Sequence, residues 1–171
     1  MLLYIVLGLI LLFGFMAFTG APYVPSLPRQ IDRAFTELYP LSQNDVLVDI
    51  GSGDGVVLRH AAKRGAWAVG YEINPILAGL SWVISLRNPR IKIQIADYRR
   101  AQFPPETTVV YTFGDGRDIA RMATKVEAEA VRLGRPLAFI SNGFEVPDRQ
   151  AVKAVGPYYL YKLGTLPNGK A

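Results

Sequence analysis

The distribution of apolar and polar residues divides the chain into two unlike parts. Residues 2–18 form an unbroken run of apolar side chains and glycines, and residues 19–21 extend this run without a charge. From residue 41 onward, short apolar runs alternate with segments in which apolar side chains recur at helical spacing. The pattern predicts one N-terminal membrane helix and a globular α/β domain after it.

The alternation in the second part predicts the following elements. Residues 30–39 are expected to form a helix that ends at Pro40. Strands are expected at 45–50, 66–72, 91–96, 107–112 and 136–141, and helices at 55–64, 75–86 and 117–133. The segments 151–155 and 158–163 leave no room for a helix between them, so they predict an antiparallel hairpin. The expected fold is therefore a Rossmann-like, doubly wound, mostly parallel sheet that ends in this hairpin.

The first apolar run is long enough to be a membrane anchor. It holds 17 apolar or glycine residues, and a spanning helix needs about 17–25. A cleaved signal peptide is the alternative, although the basic start of such a peptide is missing. Arg29 and Arg33 follow the run and no positive residue precedes it, so we expect a single-pass protein with its domain on the cytoplasmic side, or the matrix side in an organelle. The expected organisation is an anchor at 1–21, a proline-rich connector and helix at 22–40, and a catalytic domain at 41–171.

Composition excludes several classes of site and partner. The chain has no cysteine and one histidine, so a disulfide framework and a Cys/His zinc module are excluded, and we expect no metal. Lys and Arg number 19 against 14 Asp and Glu, which leaves a net charge of +5. No basic stripe alternates with aromatic residues, so no nucleic-acid partner is expected.

The strongest chemical signal is a glycine-rich turn where the first strand of the domain meets its first helix. In a doubly wound sheet this turn borders the cofactor crevice. Its spacing is G-x-G-x-G, with Asp49 before it and Asp54 inside it, whereas a dinucleotide site would show G-x-G-x-x-G. Acids repel phosphate and suit a cation, so the turn favours S-adenosylmethionine (SAM), which carries a sulfonium and an ammonium and no phosphate. The expected cofactor contacts here are Asp49, Gly51, Ser52, Gly53, Asp54 and Gly55.

Two further acids lie where the next two strands end. Glu72 follows the glycines by about 20 residues, the position of a carboxylate that accepts hydrogen bonds from ribose hydroxyls. Asp97 ends the third strand at the same edge of the sheet, within reach of the adenine amine. Asn74 and Tyr98, next to these acids, complete the expected cofactor contacts.

These residues resemble the class I, seven-strand SAM-dependent methyltransferases. The glycine turn, Glu72 and Asp97 occupy the positions of that family's cofactor motifs. A narrower resemblance is to the membrane-anchored protein-lysine methyltransferases whose mitochondrial members modify the ATP synthase c subunit and the adenine nucleotide translocase. It rests on the N-terminal apolar run and on residues 22–26, 30–31, 49–55 and 70–75. The resemblance implies methyl transfer from SAM to a lysine of a membrane or membrane-proximal protein.

Candidates for the acceptor side lie where the fourth strand ends. A lysine must be neutral to attack a methyl group, and a buried aromatic lining lowers its pKa without competing as a nucleophile. Tyr111 and Phe113 are therefore expected in the catalytic site, with Asp115 as an orienting or proton-accepting carboxylate. Core packing is the alternative for the two aromatic residues, and a turn position is the alternative for Asp115.

Two other functions remain open from the residues alone. The same SAM chemistry would serve a lipid, quinone or other small acceptor, and a noncatalytic SAM-binding assembly protein would share the fold. Trp67 and Trp82 are expected in the core, and His60 is expected to be a packing or surface residue rather than a base.

Overall fold

The computed structural model of the chain describes residues 3–4, 28–114 and 116–164. Its strands are β1 (Val46–Ile50), β2 (Trp67–Glu72), β3 (Ile91–Ile95), β4 (Val109–Thr112), β5 (Leu137–Asn142), β6 (Lys153–Val155) and β7 (Tyr158–Leu163). They form one seven-stranded sheet in the order β3-β2-β1-β4-β5-β7-β6. Strands β1 to β5 run parallel, β7 runs antiparallel to β5, and β6 and β7 form a hairpin. The expected parallel sheet with an antiparallel hairpin is confirmed.

The helices lie where the apolar spacing predicts them: the first precedes β1, the other three connect parallel strands, and a loop joins β3 to β4. They are α1 (Pro28–Arg33), which continues as a π-helical turn (Ala34–Leu38), α2 (Val56–Lys63), α3 (Pro75–Ser85) and α4 (Ile119–Leu133). Each helix and strand predicted from residue 30 onward is present, with ends that differ by no more than two residues.

The sheet separates two apolar layers. Alternate residues of β1 point to opposite faces, so that Leu47 packs with α1 and α2 while Val48 packs with α4. Helix α3 lies beside α2, over β2 and β3. Because both faces of the central parallel strands are covered, β1, β2, β4 and β5 are buried almost throughout, whereas the edge strand β3 is partly exposed.

The end of the first helix differs from the expected regular helix. The Tyr39 amide donates to the Ala34 carbonyl at 2.9 Å, which is a π-type bond five residues back. Ala34, Phe35 and Leu38 are all buried in this turn. The Phe35 ring meets the Tyr111 ring edge-on at 6.1 Å. The wider turn therefore places three apolar side chains on the sheet together.

No helix in 28–114 or 116–164 is long and apolar enough to cross a bilayer. The predicted anchor at 1–21 lies outside the described residues apart from Leu3 and Tyr4, and so does most of the connector. The membrane helix and the domain boundaries stay predictions.

The expectation that both tryptophans are core residues is wrong. Trp67 is 49% exposed and Trp82 is 59% exposed. Trp67 is the exposed first residue of β2. The Arg90 guanidinium carbon lies over its ring, 5.4 Å from the ring centre. His60 is a packing residue as expected: it is buried, with its Nδ1 2.9 Å from Asp32.

A buried carboxylate fixes α4 to the loop before β4. Glu129 is 4% exposed and accepts hydrogen bonds from Lys125 Nζ and Arg132 Nη2, both at 2.6 Å. The Phe103 amide donates to it at 3.1 Å. Burial by itself would raise the pKa of Glu129, but these donors hold that pKa below its usual value.

Glu129→Ala is expected to lower the free energy of unfolding by about 3 kcal/mol, because it leaves two cations without their partner. In the unmutated chain this stabilisation is complete above the unfolded-state pKa, about 4.3. It is lost as the pH falls through the lower folded-state pKa. Urea unfolding at neutral and acidic pH measures both effects. The exposed pair Glu127–Arg149 gives the control, since Glu127→Ala should cost no more than about 1 kcal/mol. Equal losses for the two variants would contradict the assignment.

Candidate functional site

The sequence-predicted site residues that the structure describes lie at or near one edge of the sheet. The carboxyl ends of parallel strands meet at the same edge. The glycine turn 51–55 follows β1, Glu72 ends β2, Asp97 lies just beyond β3, and Phe113 follows β4. This edge is the candidate functional site.

Glu72 holds the glycine turn against β2. Its Oε2 accepts from the Gly53 amide at 2.8 Å, and its Oε1 accepts from the Asn74 amide at 2.8 Å. Gly53 has φ +53°, a left-handed conformation that glycine adopts at little cost. A carboxylate has about four acceptor positions. Both oxygens of Glu72 therefore keep capacity for a ligand.

Asp49 is a buried acid without a partner. It is 2% exposed, and its carboxylate accepts no hydrogen bond from any residue in the described part of the chain. Burial first, and then the charges of Glu72 and Asp54, raise its pKa well above the usual value. Ser52 Oγ is also buried, and it has no hydrogen-bond partner among the described residues. Unpaired buried polar atoms are uncommon in folded proteins, and a bound water, ion or ligand supplies the partner that they lack.

Two other predicted contacts take part in local structure. Asp54 Oδ1 accepts from the Val56 amide at the start of α2, and its Oδ2 pairs with Arg59 at 3.0 Å. Asn74 Oδ1 caps α3 by accepting from the amide of Ile76 at 2.9 Å. Their cofactor contacts stay predictions, as do those of the glycines.

The acid beyond β3 is already engaged. Asp97 forms a two-pronged pair with Arg99, whose Nε and Nη2 lie 2.9 and 2.7 Å from its two oxygens. The hydrogen bond from Arg99 lowers the pKa of Asp97. Tyr98 beside it is half-buried, and burial raises the pKa of its hydroxyl. An adenine amine would have to share Asp97 with Arg99.

Two half-exposed phenyl rings flank the mouth of the site. Phe113 is 40% exposed and Phe144 is 39% exposed, after β4 and β5 respectively. The two loops fit closely: a β-carbon on Gly143 would lie 3.3 Å from the Phe113 ring, and one on Gly116 would lie 3.3 Å from the Phe144 ring. Ser141 Oγ donates to the Phe144 carbonyl at 2.6 Å and fixes its loop. Sequence reasoning missed Phe144, although an aromatic residue just beyond the end of a predicted strand is a signal for it.

Tyr111 lies deeper than the mouth. It is in register with Asp49 on the neighbouring strand, and its ring is packed between Phe35 and Tyr158. Its hydroxyl accepts from Asn142 Nδ2 at 3.1 Å, a partner that the sequence did not indicate. Tyr111 is thus a packed residue of the site's floor, and its catalytic role stays a prediction. Asp115 lies outside the described residues.

No cluster of three or more His, Cys, Asp or Glu side chains within 28–114 and 116–164 is placed to hold a metal ion. The acidic groups at the strand ends are distributed along the turn, β2 and the loop beyond β3. What the arrangement offers is an acidic crevice beside an aromatic mouth.

The glycine turn packs closely against β2 at Gly70. A β-carbon on Gly70 would lie 2.5 Å from Ser52 Oγ and 2.7 Å from Leu58 Cδ1. Gly70→Ala is therefore expected to lower the free energy of unfolding by about 1–3 kcal/mol and to displace the turn. Gly79→Ala is the matched control in α3, where nothing lies within 4 Å of the new methyl group. It should instead stabilise the chain by about 0.5–1 kcal/mol. Urea unfolding measures both, and a neutral Gly70→Ala would show that the turn does not need this close approach.

Comparison with known proteins supports this interpretation of the fold. The chain is 32% identical over 148 residues to a Xenopus laevis protein named as the lysine N-methyltransferase of the ATP synthase c subunit, a match that covers 84% of this chain and 64% of that protein. The human protein of the same name is 36% identical over 111 residues, which are 63% of this chain and 46% of the relative. The chain thus spans less than two thirds of the length of these curated relatives. No protein-family model matches it.

The fold also has a solved counterpart. A crystal structure of an RNA methyltransferase from Salinibacter ruber in complex with S-adenosyl-L-homocysteine superposes with a TM-score of 0.74, at 22% identity, over 85% of this chain and 97% of that chain. The resemblance indicated by the sequence is therefore confirmed: the chain is a homologue of proteins named as lysine N-methyltransferases of the ATP synthase c subunit, and it has the seven-strand fold of the SAM-dependent methyltransferases.

Proposed function

We propose that the chain is a SAM-dependent protein-lysine N-methyltransferase that acts on a membrane or membrane-proximal protein. The observation that carries the proposal is the buried, unpaired Asp49 carboxylate beside a glycine turn that Glu72 holds in place. The relatives' name, which specifies a lysine of the ATP synthase c subunit, supports lysine as the acceptor.

The electrostatics of the crevice favour a cationic nucleoside. Glu72 and Asp54 lie close enough to Asp49 for their charges to raise its pKa. Arg59 neutralises Asp54, but no described cation pairs with Asp49 or Glu72. The negative potential would repel a triphosphate or pyrophosphate and attract the ammonium and sulfonium of SAM.

The residues present fit the parts of SAM that need holding. Glu72 retains acceptor capacity for the two ribose hydroxyls. Ile73, which follows it, is half-exposed and offers an apolar surface to the adenine ring. Asp49 and Ser52, both buried and unpaired, would receive the amino-acid end. When bound, SAM would supply an already activated methyl group.

The protein's task is then to admit a neutral lysine and to exclude water. Phe113 and Phe144 form apolar walls at the mouth, and such walls lower the pKa of a lysine that lies between them. A phenyl ring has no nucleophilic nitrogen, oxygen or sulfur, so neither residue competes with the lysine for the methyl group. Positioning of acceptor and cofactor accounts for most of the rate that such an enzyme needs.

The apolar run at 2–18 supports a membrane location for this activity. As a single-pass anchor it would keep the domain on the cytoplasmic side, or the matrix side in an organelle, by the charge of Arg29 and Arg33. An acceptor in the same bilayer would then be present at a high effective concentration.

Incubation of membranes with methyl-labelled SAM and the full-length chain tests the proposal. We expect label to run with protein and to be recovered as methyl-lysine after hydrolysis. Label that extracts with lipid would instead favour a lipid or quinone acceptor. SAM binding without transfer to any fraction would favour a noncatalytic assembly protein.

Asp49→Asn is expected to change the stability of the ligand-free chain and its affinity for SAM in opposite directions. The pKa of Asp49 is higher in the folded than in the unfolded chain, so its ionisation costs folding free energy as the pH rises through the unfolded-state value. Removal of the charge should raise the free energy of unfolding of the ligand-free chain by on the order of 1 kcal/mol at neutral pH. It should also weaken SAM binding. Thermal unfolding with and without SAM measures both changes, and a variant that is less stable and binds as before would refute the assignment.

A further inference from the structure

Helix α3 has its large apolar residues on the wrong side for a helix that faces water. Its buried positions are the small residues Ala78, Ser81 and Ser85. Its outward positions, with the residue that follows the helix, carry large apolar side chains that are 47–59% exposed. We call these side chains the α3 outer face; they are Ile76, Leu80, Trp82, Val83, Ile84 and Leu86.

Such a surface is unusual for a water-facing helix. A surface helix normally turns its apolar stripe to the core and its charged residues to solvent. Helix α3 has no charged residue at all. Single exposed apolar side chains need no explanation, whereas a contiguous exposed patch marks an interaction surface.

The chain's net positive charge is concentrated in the part of the sequence that contains α3. Residues 55–96, which run from the start of α2 through β3, hold six Lys or Arg residues and one acid, Glu72. The segment's net charge of +5 equals that of the entire chain, so the remainder is balanced. Glu72 is buried in the candidate site. Arg59 and Arg64 pair with acids outside the segment, Asp54 and Asp32. The other four cations have no acidic partner in the described part of the chain, so the surface of the segment is basic. The six cations are Arg59, Lys63, Arg64, Arg87, Arg90 and Lys92.

Three of these cations line an open cleft at the carboxyl end of α3. The cleft has a volume of about 430 Å³, and Arg59, Lys63 and Arg87 line it together with Ile84. Arg59 already pairs with Asp54. Lys63 and Arg87 have no hydrogen-bond or ion-pair partner among the residues that the structure describes. Two free cations thus border the apolar patch.

The charge decides among the occupants of this face. A second copy would bring an equally basic segment against the first, and like charges across an interface oppose association. The chain's own run at 2–18 is uncharged and offers nothing to Lys63 and Arg87. The interfacial layer of an anionic bilayer supplies an apolar region and phosphates together.

We propose that the α3 outer face lies in the interfacial layer of an anionic membrane, with lipid phosphates at Lys63 and Arg87. The proposal goes beyond methyl transfer and does not depend on it. The chain's layout fits, because α1, which follows the apolar run, packs beside α2 on the sheet face that also carries α3. The first residues of α3 border the candidate site, so docking would bring the crevice next to the membrane surface.

The two tryptophans provide a matched pair of probes. Full-length Trp67→Phe chain keeps Trp82 as its one tryptophan, and Trp82→Phe chain keeps Trp67. Each is reconstituted in vesicles of phosphatidylcholine and phosphatidylglycerol whose acyl chains carry bromine near the headgroup. We expect brominated lipid to quench about half or more of the Trp82 emission, because an interfacial face inserts about 5–10 Å. Trp67 should be quenched far less and should stay accessible to iodide in the water.

A charge variant tests the phosphate contacts. Lys63→Gln with Arg87→Gln should weaken the docked state by roughly fivefold for each charge, seen as lower quenching of Trp82 in anionic vesicles. Pure phosphatidylcholine vesicles should lower quenching in the same way and should abolish the effect of the variant. Circular dichroism confirms that each variant is folded.

Several results would overturn the proposal. If iodide quenches Trp82 and brominated lipid does not, the α3 outer face stays in water. Trp82 shielded from iodide without lipid would indicate a second copy or the chain's own apolar run. Equal quenching of Trp82 in anionic and in pure phosphatidylcholine vesicles would contradict the proposed phosphate contacts. The anchor is tested separately by sedimentation of the reconstituted vesicles. If the chain does not sediment with them, vesicles are added to the chain and the quenching of Trp82 is measured again.

Discussion

Replacement of Glu72 by alanine is expected to reduce the affinity for SAM by about 100-fold or more. Two ribose hydroxyls would lose a charged acceptor, and hydrogen bonds to charged groups contribute about 1.5–3 kcal/mol each. Since about 1.4 kcal/mol corresponds to a tenfold change in affinity, their loss accounts for the expected effect. The amides of Gly53 and Asn74 also lose their acceptor, so the turn that would enclose the ligand loosens.

Calorimetric titration with SAM measures the effect of Glu72→Ala. Glu106→Ala serves as the control, because Glu106 is exposed and its side chain has no hydrogen bond in the described part of the chain. Circular dichroism of the ligand-free proteins separates loss of binding from loss of fold. A folded Glu72→Ala variant with the affinity of the control would overturn the assignment of the ribose site.

Removal of residues 1–20 is expected to lower methylation of a membrane-embedded acceptor by about 10²–10⁴-fold, the range by which tethering raises effective concentration. SAM affinity should not change, because the candidate site is built from residues of the domain alone. The comparison uses one membrane fraction and equal amounts of the full-length and shortened chains.

A soluble peptide that carries the same lysine is the internal control for this experiment. Both chains should methylate it equally, since tethering brings no advantage in solution. Equal rates on the membrane-embedded acceptor would contradict the anchoring proposal. Unequal rates on the peptide would instead mean that the deletion damages the domain.

Much of the fold and part of the site follow from local pattern. Apolar runs such as 46–50 and 109–112 are short and lie between turn signals, so strand and helix can be told apart without knowledge of neighbours. The glycine spacing with Asp49, and the acid at the end of β2, are likewise fixed by sequence position. Parallel topology then brings these residues to one edge.

Features that depend on a second element were not predictable in this way. Helix α3 has no charged residue on any side, so the spacing of charged and apolar residues cannot say which side faces the sheet. Only the small size of Ala78, Ser81 and Ser85 marks its inner face, and Trp82 was therefore misplaced. The pairing of Asp97 with Arg99 needs the conformation of the loop beyond β3.

The mouth formed by Phe113 and Phe144 also depends on contacts between neighbouring elements. Phe113 was predicted from the end of β4, but Phe144 joins it only because β4 and β5 are neighbours and their loops interlock. The register that places Tyr111 beside Asp49 is likewise a property of the assembled sheet.

The acidic crevice is expected to accept a cationic nucleoside and to reject a phosphorylated one. Parallel calorimetric titrations of the chain with SAM, S-adenosylhomocysteine, ATP and NAD measure this preference. We predict saturable binding of SAM and S-adenosylhomocysteine and no measurable heat from ATP or NAD at the same concentrations. Tight binding of ATP or NAD, with none of S-adenosylhomocysteine, would contradict it.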